Sequence, residues 1–199
     1  MEVEVKLRLP TSEAHQKVAQ VLAPMHKVTH LQENIFFDGA NQELSSKRAV
    51  LRIRFYNEDK KCVVSLKGKA VLIDGISRVE EIEEEVDPSL GRASVAEPWK
   101  LLHMDCNLLK KVQMDYGCNN FICLGGFRNI RNVYVWEGLQ LELDETQYEF
   151  GTTYEIECET DDPERARQLL GDFLNFHNVP FSFSTSSKFA ILRSGAIPA

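Results

Sequence analysis

Apolar and charged residues alternate one for one through much of the chain, beginning with Glu2-Val3-Glu4-Val5-Lys6-Leu7-Arg8-Leu9. Successive side chains of an extended strand point to opposite faces, so the pattern suits strands that bury one face and charge the other. It predicts strands over Glu2–Leu9, Asn34–Asp38, Ala49–Tyr56, Lys61–Lys69, Gly75–Val86, Asn129–Trp136, Leu139–Glu145, Thr153–Glu159 and Ser186–Arg193. Helical spacing predicts helices over Thr11–Leu22, Trp99–Tyr116 and Asp162–Phe176, the last opening with a cap and a Pro in its first turn. Asp87–Pro98, with two Pro and one Gly, reads as a loop. No linker divides the 199 residues, so the expectation is one α+β domain, 1–199.

Composition narrows the function classes. Lys and Arg number 23 against 30 Asp and Glu, a net charge of −7, which disfavours nucleic acid as a partner. No apolar run approaches the ~18 residues of a membrane helix, and the N-terminus lacks the pattern of a signal or transit peptide. Five cysteines form no C-x-x-C pair, which suits free thiols in a reducing cytoplasm. The five His form no metal-binding pair, so any metal is expected to be hard and held by carboxylates.

Sorted by face, the charges segregate by strand. Lys6, Arg52, Arg54, Lys67 and Lys188 line basic positions. Glu2, Glu4, Glu81, Glu83, Glu142, Asp144, Glu155, Glu157 and Glu159 line acidic ones. A solvated face usually mixes signs with neutral residues. Closing the strands into a barrel with charged faces inward gives a lumen with one basic and one acidic wall. Crowded carboxylates repel one another, and Mg²⁺ or Mn²⁺ would neutralise them, while arginine forks suit phosphate oxygens. An outer-membrane pore is also polar inside, but aromatic girdles are missing and amphipathic helices are present to cover the apolar exterior.

Eight motifs in order then match a known family. They are E-V-E-V-K (Glu2, Glu4, Lys6), L-R-I-R (Arg52, Arg54), S-L-K (Lys67), R-V-E-E (Glu81), N-I-R-N-V-Y (Arg131), L-E-L-D-E (Glu142, Asp144), Y-E-I-E-C-E and S-K-F-A (Lys188). The chain resembles the CYTH superfamily, or triphosphate tunnel metalloenzymes, and within it the plant inorganic tripolyphosphatase branch. The resemblance implies an eight-stranded antiparallel β-barrel, a tunnel with a charged lumen covered outside by helices. Its substrate would be a small-molecule triphosphate, bound with one or two Mg²⁺ or Mn²⁺ ions. By the same carry-over Glu2, Glu4, Asp144 and the Glu155, Glu157, Glu159 strand would hold metal. Lys6, Arg52, Arg54, Lys67, Glu81, Arg131 and Lys188 would form the substrate site, with Glu2, Glu4 and Lys188 as the catalytic group. The family's acid pair matches either Glu155 and Glu157 or Glu157 and Glu159, and its arginine either Arg131 or Arg128.

The implied reaction is metal-dependent hydrolysis of tripolyphosphate to pyrophosphate and phosphate. Alternatives are thiamine-triphosphate hydrolysis, cyclisation of ATP, or non-catalytic polyphosphate binding. Cyclisation needs an adenine pocket, for which Phe36, Phe37, Tyr56, Tyr134 and Trp136 are candidates that suit an apolar exterior equally.

Overall fold

The computed structural model describes residues 1–198. In chain order the elements are β1 (Glu2–Leu9), α1 (Ser12–Leu22), β2 (His26–Gly39), β3 (Val50–Tyr56), β4 (Lys61–Lys67), β5 (Val71–Ile73), β6 (Ile76–Val79), β7 (Glu81–Val86) and α2 (Pro88–Ala96). Then follow α3 (Asn107–Tyr116), β8 (Phe121–Trp136), β9 (Leu139–Tyr148), β10 (Gly151–Glu159), α4 (Pro163–Phe176), β11 (Ser182–Phe183) and α5 (Lys188–Ser194). The class is α+β, as the alternation implies, with antiparallel pairing in every register described below. Among the described residues no helix is long and apolar enough to cross a membrane.

Two compact units alternate along the chain. The first takes Met1–His30, Val71–Arg78 and the chain from Arg128 onward. In it β8, β9, β10 and β1 pair in that order, and β11 adds to β1. Val5, Leu7, Leu141, Leu143, Ile156 and Cys158 turn one way and are fully buried against Val18 and Leu22 of α1 and Leu170 and Leu174 of α4. Each such side chain contributes about 1.5–3 kcal/mol of burial. Both helices start on a capping side chain: Thr11 Oγ1 accepts from Ala14 N at 3.1 Å, and Asp162 Oδ1 accepts from Arg165 N at 3.2 Å.

The second unit takes Leu31–Ala70 and Val79–Phe127. Here β2, β3, β4 and β7 pair in order. Leu51, Ile53, Phe55, Cys62 and Val64 form the buried face, packed with Leu101 and with Leu108, Leu109 and Val112 of α3. In each unit these helices pack on the apolar face of the strands, opposite their charged side chains.

Four elements differ from the sequence expectation. Ser186–Arg193 is not a strand: α5 starts at Lys188, with the Ser187 hydroxyl accepting from Ala190 N at 3.1 Å and Gly195 closing it at φ +69°. Asp87–Pro98 is mostly helix α2, whose Asp87 carboxylate accepts from Ser89 N at 2.7 Å ahead of Pro88 in the first turn. Trp99–Tyr116 breaks into a 3-10 turn, Pro98–His103, and then α3. Gly75–Val86 is interrupted at Glu80 between β6 and β7. Glu84 accepts from Asn107 N at 3.1 Å and Leu108 N at 2.8 Å, which satisfies the N-terminus of α3.

Gly91 shows why α2 tolerates a glycine. A Cβ there would meet Cys62 Sγ at 2.6 Å and Phe55 Cε1 at 3.2 Å, so the helix lies directly on β3 and β4. Gly91→Ala should therefore destabilise the fold by about 1–3 kcal/mol despite alanine's better helix propensity. Urea unfolding reads this as a lowered midpoint; an unchanged or raised midpoint would contradict the close packing.

Candidate active site

The charged face of the first unit is set by strand register. Pairing of β1 with β10 places Glu4 opposite Glu159, Lys6 opposite Glu157 and Arg8 opposite Glu155. Pairing of β10 with β9 places Glu155 opposite Asp144 and Glu157 opposite Glu142. Pairing of β8 with β9 puts Arg131 opposite Asp144. Arg128 faces Gln147 and is exposed, so Arg131 is the arginine brought to the acids.

Glu157, 2% exposed, is the hub. Its Oε1 accepts from Lys6 Nζ at 2.6 Å and Lys188 Nζ at 2.5 Å, and its Oε2 accepts from Arg131 Nη2 at 2.6 Å. Asp144, fully buried, is forked by Arg131: Nε to Oδ1 at 2.8 Å and Nη2 to Oδ2 at 2.6 Å. Lys188 Nζ also lies 3.0 Å from Asp144 and 3.0 Å from Glu155. Lys6 pairs with Glu4 at 2.6 Å, and Arg131 Nη1 with Glu142. Lys188 thus reaches the cluster from the first residue of a helix, whose start is held by Tyr148 Oη donating to the Lys188 carbonyl at 3.2 Å.

Of the candidate acids, Glu155 and Glu157 are buried in this cluster, whereas Glu159 is exposed and borders a cavity of about 340 Å³ with Glu142 and Asp161. Glu2 lies two residues before Glu4 on the same face of β1 and is half-buried. Sequence reasoning passed over Arg8, 3.9 Å from Glu155, and Ser184, whose hydroxyl donates to Glu155. Arg8 shares the alternation of Glu2, Glu4 and Lys6, which was signal enough; nothing in the sequence marks Ser184.

Burial would raise the Asp144 and Glu157 carboxyls and lower the Lys6 and Lys188 ammoniums, but partners outweigh it. Lys188, Lys6 and Arg131 hold Glu157 well below the usual carboxylate range, and Arg131 and Lys188 lower Asp144. Glu157 foremost raises Lys6 and Lys188. Glu142 goes the other way: burial and the nearby Glu157 and Asp144 raise it against Arg131. The lowered carboxyls contribute stability that is full above about pH 4.5 and is lost as pH falls further; the raised ammoniums contribute stability full below about pH 10.5 and lost as pH rises. The melting temperature without added metal should plateau between those limits and drop on both sides. A melting temperature still climbing from pH 5 down to pH 3 would refute the cluster's charges.

In the second unit Arg52 Nη2 lies 3.2 Å from both Glu81 and Glu83, and Lys67 lies 3.1 Å from Glu81. Glu81 therefore sits between two cations of the substrate set. Arg54 Nε donates to Asn34 Oδ1 at 2.7 Å and Nη1 to Tyr56 Oη at 3.4 Å. Burial and the neighbouring Arg54 lower the Arg52 pKa to about 10, and Arg52, Arg54 and Lys67 outnumber Glu81 and Glu83 here. Of the aromatic candidates, Phe36 faces Arg52 across the ladder and packs on Phe127 at 5.4 Å, and Tyr56 lies beside Arg54. Phe37, Tyr134 and Trp136 belong to the apolar cores.

The donor chemistry for a metal is all oxygen. Glu4, Glu142, Asp144, Glu155 and Glu157 outnumber Lys6, Arg131, Lys188 and Arg8, so the first face has an acid surplus that suits a hard divalent cation. Its carboxylates are engaged by ammonium and guanidinium groups, and among the described residues no group of three or more His, Cys, Asp or Glu is arranged to hold an ion. Metal binding would therefore exchange lysine contacts for metal contacts.

Comparison with known proteins agrees with this geometry. HpAC1 from Hippeastrum, a candidate adenylyl cyclase with a dominant triphosphatase activity, superposes with a TM-score of 0.97 at 50% identity over 100% of this chain and 98% of that one. A candidate adenylate cyclase from Bacillus halodurans shares the fold at TM-score 0.72 and 21% identity, covering 97% and 96% of the two chains. The PH1819 protein of Pyrococcus horikoshii does so at 0.63 and 22%, covering 97% and 99%. No curated protein sequence matches the chain. The CYTH domain model matches residues 1–188, and with the two charged faces and the 50%-identical relative this establishes that the chain belongs to the CYTH domain family.

Proposed function

We propose that the chain is a metal-dependent triphosphatase that hydrolyses inorganic tripolyphosphate to pyrophosphate and phosphate, and that residues 1–199 act as one CYTH-type domain. The observation that carries this reading is the buried Glu157 cluster, where acids in surplus meet three cations. The dominant triphosphatase activity of the 50%-identical HpAC1 supports hydrolysis over cyclisation.

Glu2, Glu4, Asp144, Glu155 and Glu157 would hold Mg²⁺ or Mn²⁺, with Glu159 at the exposed edge of the same strand. When bound, such an ion supplies Lewis-acid neutralisation of phosphate charge and an acidified water. Lys6, Arg131 and Lys188 are the cations nearest those carboxylates, placed to stabilise charge on the transferring phosphoryl oxygens. Arg52, Arg54 and Lys67 of the second unit would bind phosphate oxygens, trading Glu81 and Glu83 for them. Positioning and electrostatics then supply the catalysis, as is general for phosphoryl transfer. Five free cysteines, four of them buried, suit a reducing compartment such as the cytoplasm.

A substrate panel tests the assignment: tripolyphosphate, thiamine triphosphate, ATP and pyrophosphate, each with Mg²⁺ or Mn²⁺. Tripolyphosphate should give the highest kcat/KM, and ATP should release phosphate in excess of cyclic nucleotide. Cyclic AMP as the main product from ATP, with tripolyphosphate inert, would overturn the assignment.

A further inference from the structure

Three donor atoms on the second unit's charged face have no hydrogen-bond partner among the described residues. Asn34 Nδ2, Ser65 Oγ and Arg52 Nε are all buried and unbonded, and Asn34 and Ser65 are themselves 0% exposed. Register puts them on three consecutive strands: Asn34 of β2 faces Arg54 of β3, and Arg52, two residues along β3 on the same side, faces Ser65 of β4. An unsatisfied buried polar group costs about 1–3 kcal/mol, so three on one face of a small domain call for an acceptor.

The orientation of Asn34 follows from chemistry. Arginine has no acceptor, so the Asn34 atom 2.7 Å from Arg54 Nε must be the carbonyl oxygen, which turns Nδ2 away from Arg54. Asn34 thereby also holds Arg54 through Nε. The acids on this face do not fill the need: Glu81 and Glu83 contact Arg52 through Nη2, not Nε. A phosphate group brings acceptors only, in several directions, and it matches a face where Arg52, Arg54 and Lys67 outnumber Glu81 and Glu83.

We propose that Asn34 Nδ2, Ser65 Oγ–H and Arg52 Nε form a neutral-and-cationic seat for phosphate oxygens of the substrate, reached when substrate draws Arg52 away from Glu81 and Glu83. The proposal rests on the triphosphatase reading and extends it: Asn34 and Ser65 become substrate-binding residues, and Asn34 a positioning residue for Arg54.

Three variants separate this seat from a structural role. Ser65→Ala removes one hydroxyl without touching Arg54 and should raise KM for tripolyphosphate about fivefold with kcat within about twofold, as expected for one lost hydrogen bond. Asn34→Ala removes donor and positioner together and should raise KM about tenfold. Asn34→Asp keeps an acceptor for Arg54 Nε but sets a carboxylate against phosphate, and should raise KM about twentyfold or more. If Asn34 only positioned Arg54, Asn34→Asp would restore wild-type KM, which would overturn the seat. So would Ser65→Ala and Asn34→Ala variants that keep wild-type KM and tripolyphosphate Kd by calorimetry, because ordered water would then satisfy the donors. Wild-type protein that binds tripolyphosphate without turnover, with weakened binding in the variants, would overturn hydrolysis and leave the seat standing. Wild-type protein that neither binds nor hydrolyses tripolyphosphate would overturn both.

Discussion

Glu157→Gln is expected to lower kcat for tripolyphosphate by about 10³-fold, the upper range for removing one electrostatic element from a preorganised site. The substitution keeps the shape of a side chain that is 2% exposed but removes the charge that Lys6, Lys188 and Arg131 all contact. It also removes the carboxylate best placed to join the Glu4 side of the face to the Asp144 side. Stripping one partner from a buried ion pair costs about 3–5 kcal/mol when the other charge is stranded. Here Lys6 retains Glu4, and Lys188 retains Asp144 and Glu155, so the fold should survive with a reduced melting temperature. Phosphate release and circular dichroism on the same preparation separate the two effects. A folded Glu157→Gln protein with wild-type turnover would remove Glu157 from the mechanism.

Arg52→Ala is expected to act on the other face and mainly on KM, raising it about 10²-fold, as loss of two charge-assisted phosphate contacts implies. The effect has two parts. The guanidinium is lost, and Glu81 and Glu83, which it contacts at 3.2 Å each, are left to repel the phosphates. Arg52→Lys should recover only part of the loss, because an ammonium cannot reproduce the fork and lacks the Nε donor. Equal KM for Arg52→Ala and wild type would show that this face does not bind substrate.

The alternation was readable because burial on one side of a strand forces it, and the charged residues it sorted are the ones the registers bring together. Lys6 meeting Glu157, and Arg131 meeting Asp144, follow from pairing that the sequence only implied. Lys188 was identified as a site residue while its strand was misjudged, because Phe189 and Ile191 fit period two over a segment too short to show period 3.6. The Ser187 cap and Gly195 terminus were the better guide. In α2 the Pro and Gly that suggested a loop serve instead as a helix start and a close contact with Cys62. Asn34 and Ser65 stayed hidden because neutral residues carry no charge pattern, and only their burial without partners brings them forward. Phe36 broke the rule in the other direction, placing an aromatic ring on the face where alternation predicts a polar group.

The most direct measurement is ³¹P NMR of tripolyphosphate incubated with the wild-type protein and Mg²⁺ or Mn²⁺, repeated after chelation. The account predicts pyrophosphate and phosphate in equal amounts with metal and no conversion after chelation. Intact tripolyphosphate with both metals, or conversion undiminished by chelator, would contradict it.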